Sequence, residues 1–111
     1  MSSYTVLKDI VQKIESSPAI AQQSRDIEGT LLFETESEKF HLEMHGGAIQ
    51  LMEGTVSSPA ATVRSSESML EQILAGKINA VQAFMSGKVK IDGDIFLVQK
   101  LVGLADKARS A

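Results

Sequence analysis

Apolar residues in this chain change their period twice, and that change constrains the fold more than any other feature. Val6, Leu7, Ile10, Val11 and Ile14 recur every three to four positions, the spacing that gathers side chains on one face of a helix. From Ile27 the period falls to two. Ile27, Gly29 and Leu31 lead into Phe33, and Phe40, Leu42 and Met44 alternate with His41, Glu43 and His45, which predicts two half-buried strands. After Ser66 the helical period returns. A chain patterned as helix, strands, helices buries its apolar faces by laying helices against a sheet, so an α/β domain of the α+β kind is expected.

Punctuation residues divide the rest. The first helix should end before Pro18, because a residue preceding proline avoids the α region, and Pro18 to Gln23 can begin a short second helix. Gly46-Gly47 marks a tight turn, since both glycines accept positive φ, and Ala48 to Met52 then folds back as a third strand. Ala61 to Arg64, after Pro59, is a fourth. Ser65-Ser66-Glu67 supplies hydroxyl caps and a negative charge to a helix with Met69, Leu70, Ile73 and Leu74 on one stripe, closed by Gly76. Asn79 caps the next helix, Ala80 to Ser86, which presents Phe84 and Met85. Val89 and Ile91 alternate with Lys88 and Lys90 as a fifth strand, and Gly93-Asp94 opens the last helix.

That last helix, Ile95 to Leu104, has two apolar faces. Leu97, Val98, Leu101, Leu104 and Ala105 form one stripe, and Ile95, Phe96, Gln99, Val102 and Gly103 repeat its spacing on the other side. Core is expected to cover the first. The second calls for more core, a partner or a ligand.

With 111 residues, 43% of them hydrophobic, a single domain over 1–111 is expected. A chain of this length buries about 65% of its unfolded surface, enough for stability without disulfides. The absence of cysteine removes thiol catalysis and cysteine-ligated zinc. No basic stretch followed by an apolar run begins the chain, and Arg109-Ser110-Ala111 differs from a Ser-Lys-Leu ending, so a cytoplasmic location is expected. Net charge is −3, with five Lys or Arg against nine Asp or Glu in residues 1–64 and six against five in residues 65–111. That leaves no broad basic field for nucleic acid.

Catalytic patterns are missing. His41 and His45 on one strand would stand about 13 Å apart, too far to share an ion, so His41, Glu43 and His45 are expected to form a solvated strand face and no metal is expected. Glu34, Glu36 and Glu38 with Ser37 suggest a charged hairpin turn. Gly46-Gly47 lacks the following helix and basic residue of a phosphate loop. Neither an enzyme nor a cofactor is expected. Lys77, Lys88 and Lys90 are candidates for transient contact with an anionic membrane or a coenzyme A phosphate.

The string Leu74-Ala75-Gly76-Lys77-Ile78-Asn79, then Ala83-Phe84-Met85-Ser86-Gly87-Lys88-Val89-Lys90-Ile91, then Gly93-Asp94-Ile95 with Lys100-Leu101, resembles the sterol carrier protein 2 family. Ala80 stands for the family's usual proline, Met85 for its second phenylalanine and Asp94 for asparagine. The motif covers residues 61–104, and the earlier half matches in pattern rather than in residues. The resemblance implies a five-stranded mixed sheet covered by helices, with an apolar tunnel between them for fatty acyl chains, acyl-CoA, sterols or other lipids. Carried over by position, the tunnel lining falls on Phe84, Met85, Ile95, Phe96, Gln99 and Val102, to which the stripe residues Leu70, Ile73 and Leu74 are added as candidates. Non-catalytic lipid binding and transfer is the expected function. The alternative is an accessory module whose last helix packs on a partner enzyme or on a second copy as a homodimer.

Overall fold

The computed structural model describes residues 2–110. Helices α1 (Ser3–Ser16) and α2 (Pro18–Ser24) precede strands β1 (Gly29–Glu34), β2 (Lys39–His45), β3 (Ala48–Glu53) and β4 (Ala61–Ser65). Helices α3 (Glu67–Leu74) and α4 (Ala80–Met85), strand β5 (Val89–Gly93) and helix α5 (Ile95–Ser110) complete the chain. The sheet runs β3-β2-β1-β4-β5, antiparallel except for the parallel β1–β4 pair. It is the mixed five-stranded sheet that the resemblance implies.

Alternation along the strands sorts the two faces. Leu31 and Phe33 of β1, Phe40, Leu42 and Met44 of β2 and Val63 of β4 are buried with the stripe Leu7, Ile10, Val11 and Ile14 of α1 and with Leu97, Leu101 and Leu104 of α5 in one core. Phe33 and Phe40 pair across β1 and β2 with rings stacked at 5.1 Å, and Tyr4 of α1 meets Phe40 edge-on at 5.4 Å. Helix α5 runs beyond Leu104, and its added turn buries Ala108.

The strand face carrying His41 departs from expectation, because His41 is buried. To reach β4 from the edge strand β3, the 54–60 connection must pass β2 and β1. It brings the Gly54 carbonyl to 2.9 Å from His41 Nδ1, which donates to it. His45 is exposed and donates to the Glu28 carboxylate at 2.7 Å. No group of three or more metal-ligating side chains is assembled among the described residues.

The Glu34–Glu38 turn is more than a solvated hairpin. The Glu36 carboxylate accepts the Glu67 N–H at 2.8 Å, at the start of α3. Glu38 accepts from Ser3 Oγ at 3.2 Å and from the Tyr4 N–H at 3.4 Å, at the start of α1. Glu67 turns its own carboxylate back to Ser3, taking the hydroxyl at 2.7 Å. Free N–H groups at helix starts attract negative charge, and here one turn serves two helices. The cause is distance in sequence: the partners lie more than thirty residues from the turn.

Candidate apolar binding cleft

A cross-strand row of inward side chains, Phe33 on β1, Val63 on β4 and Ile91 on β5, forms the floor of a cleft on the helical side of the sheet. Leu70, Ile73 and Leu74 of α3 make one wall, and Val98, Leu101, Val102 and Ala105 of α5 the other. Ile78, Ala80 and Val81 at the start of α4 form part of the rim. The volume is about 320 Å³, at the lower end of the roughly 300–1,000 Å³ typical of small-molecule sites.

Polar groups are few and confined to the edge. Arg109, in the last turn of α5, donates to the Leu74 carbonyl at 2.7 Å and pairs with Asp106. The guanidinium lies over Gly76, where a Cβ would come within 2.6 Å of Nε. A cation on the last carbonyls of α3 also meets the negative end of that helix. Asn79 supplies the remaining polar side chain, and its Oδ1 caps α4 by accepting the Gln82 N–H at 3.0 Å. No serine, threonine, tyrosine or histidine lines the cleft among the described residues. Its surface therefore suits an apolar body with one polar end.

Four residues expected at the site come together here: Leu70, Ile73, Leu74 and Val102. The others do not line the cleft. Met85 is 80% exposed and Phe84 37% exposed on α4, and Phe96 is 69% exposed on α5. Gln99 is exposed and Ile95 half-buried. The second apolar face of α5 is thus open to solvent at Phe96, Gln99 and Gly103, and only its Val102 edge turns into the cleft beside Val98.

Sequence reasoning missed the floor. Phe33, Val63 and Ile91 become neighbours only through strand register, which periodicity does not reveal. Val98, Leu101 and Ala105, whose spacing predicts a core stripe, border core and cleft together. Arg109 carried no signal, because its partners lie across the α3–α5 gap.

The family described as the SCP-2 sterol transfer family matches residues 7–106. The "Peroxisomal multifunctional enzyme A" of Dictyostelium discoideum is 34% identical over 71 residues, covering 63% of this chain and only 16% of that protein's length. A solved structure titled "UbiJ-SCP2 Ubiquinone synthesis protein" superposes with a TM-score of 0.76 at 24% identity, over 89% of this chain and 88% of the other. The sterol carrier protein domain 2 of Helicoverpa armigera superposes at 0.72 and 22% identity, over 94% and 85%. At such identities these two structures establish the fold alone.

Proposed function

Because the chain belongs to the SCP-2 sterol transfer family, whose fold is a lipid-carrier fold, we propose that it holds the apolar part of a single lipid in the cleft between α3, α5 and the sheet, and releases it chemically unchanged. The observation that carries this reading is the lining: aliphatic and aromatic on three sides, with the Arg109–Asp106 pair and Asn79 at the edge and no nucleophile beside a base.

Burying a sixteen-carbon chain recovers roughly 12 kcal/mol relative to water, at about 0.8 kcal/mol per methylene. A bilayer offers that chain nearly the same gain. Transfer between the two is therefore close to balanced, which is what reversible carriage requires. A chain longer than the cleft would leave it past Val102 and run toward Ile95 and Gln99, so those two positions stay in the proposed site, with Phe84 and Met85 reached if α4 shifts.

Filling the cleft tests the proposal. Titrating delipidated protein with a fluorescent fatty acid should show binding that Ile73→Trp weakens by tenfold or more, while the urea midpoint of the variant stays close to that of the parent. Wild-type protein that takes up no probe, and carries no lipid by native mass spectrometry when purified from its own host, would sink the reading. A protein-docking role keeps one observation of its own, the 69% exposed Phe96. An oligomer seen by light scattering that Phe96→Asp dissolves, with fatty-acid uptake unchanged, would assign that face of α5 to assembly.

A further inference from the structure

Among the described residues, Arg109 and Asp106 are the charged side chains in the lining of the cleft, and both belong to the last turns of α5. Back along that helix the lining continues with Ala105, Val102, Leu101 and Val98, all apolar. From Val98 to Arg109 the helix rises about 16 Å at 1.5 Å per residue. This wall is therefore charged at one end and aliphatic along the rest. The guanidinium has five N–H groups. One at Nη1 goes to the Leu74 carbonyl at 2.7 Å and one at Nη2 to Asp106, and the other three have no partner among the described residues. Asp106 is a loose partner, with its side chain 62% exposed against 24% for Arg109. A pair with so exposed an acid contributes little, and a second carboxylate can take its place. Asn79, the remaining polar side chain of the lining, is uncharged and does not select by charge.

We propose that Arg109 receives the carboxylate of the bound lipid, so that the cleft prefers a free fatty acid to an uncharged alcohol or ester of the same length. The inference rests on the cleft being a lipid site. It adds a charge at one end and a direction for the chain, from Arg109 toward Val98. The planar fork of a guanidinium meets a carboxylate through two parallel N–H···O bonds, and such charge-assisted bonds are about twice as strong as neutral ones. Arg109 is already held at the Leu74 carbonyl, above the space that Gly76 leaves open, so it loses little freedom when a ligand arrives. An ionised head leaves water less readily than a neutral one. Without a cation at its end, an apolar cleft would select the ester, and Arg109 reverses that order. Asp106 is then the competitor of the incoming acid, and it turns to water when displaced.

The experiment measures displacement of Nile red, an uncharged apolar dye, from the delipidated whole chain by dodecanoate, dodecanol and methyl dodecanoate. The parent should bind dodecanoate about tenfold or more tighter than the alcohol or the ester. Arg109→Gln should abolish that preference and leave the affinity for the ester near that of the parent. Arg109→Lys, which keeps the charge and loses the fork, should retain part of it. Asp106→Asn should tighten dodecanoate several-fold and leave the ester unchanged. Lys100→Gln, which removes an exposed cation of α5 outside the cleft lining, should alter none of the three. A general loss of structure weakens acid and ester alike, so their ratio reports on Arg109 itself. If Arg109→Gln takes up no dye, Asp106→Asn decides: tightening for the acid alone supports the proposal, and no tightening overturns it. Equal affinities in the parent, an undiminished preference in Arg109→Gln, or a preference lost in Lys100→Gln each overturns the proposal and leaves a cleft that binds lipid. A parent that takes up neither the dye nor any of the three ligands removes the cleft reading and this inference with it.

Discussion

Gly93 ends β5 at a φ of +95°, where an added Cβ would stand 2.3 Å from the Ala60 carbonyl oxygen. The same oxygen accepts the Asp94 N–H at 2.9 Å, so the close approach is part of how the crossover meets the start of α5. Asp94 then caps that helix, its Oδ1 accepting from the Phe96 N–H at 3.0 Å. Gly93→Ala forces either an unfavourable backbone conformation or a shift of the crossover. It should cost about 1–3 kcal/mol, read as a lower urea midpoint with unchanged slope. A midpoint equal to that of the parent would mean that the Ala60 segment gives way freely. The sequence marked Gly93-Asp94 as a helix opening, and that much was legible. The clash with Ala60 was not, because it depends on two segments that only the sheet brings together.

Among the elements, the turn between β1 and β2 does the most unexpected work, tying the starts of α1 and α3. The Glu67 N–H, accepted by Glu36, is the main cause that holds the Glu36 carboxyl below the usual carboxylate range, against the opposing effect of desolvation. Glu28 is held low in the same way, first by the Gly46 N–H and then by His45. A folded value below the unfolded one means stability that is complete above the unfolded glutamate value of about 4.3 and is lost as pH falls through the lower folded value. Urea midpoints measured across that acid window should therefore fall less steeply for Glu36→Gln than for the parent, with Glu28 still contributing. An identical slope would show that the Glu36 contact has no weight in solution.

Helix α5 shows where pattern stops informing. Its length and its core stripe of Leu97, Leu101 and Leu104 follow from spacing, and so does the presence of a second apolar side. What covers that side does not follow, since amphipathicity reports which residues avoid water and says nothing of what they meet. Val102 turned out to face the cleft and Phe96 to face solvent, although both belong to the same stripe. Helix α4 repeats the lesson: Phe84 and Met85 are apolar, and only Ala83 is buried.

At the scale of the fold, the five strands and five helices of the described residues were all visible in periodicity and punctuation, while their arrangement was not. The order β3-β2-β1-β4-β5 depends on the parallel β1–β4 pairing, a non-local choice that no turn residue announces. That pairing joins the meander β1–β3 to everything after it and places Phe33 beside Val63. Apart from Phe33, every residue lining the cleft lies between Val63 and Arg109. The later half of the chain therefore carries nearly the whole wall of the cleft, and the earlier half carries the platform beneath it, so a substitution in β2 or β3 reaches the cleft only through the sheet.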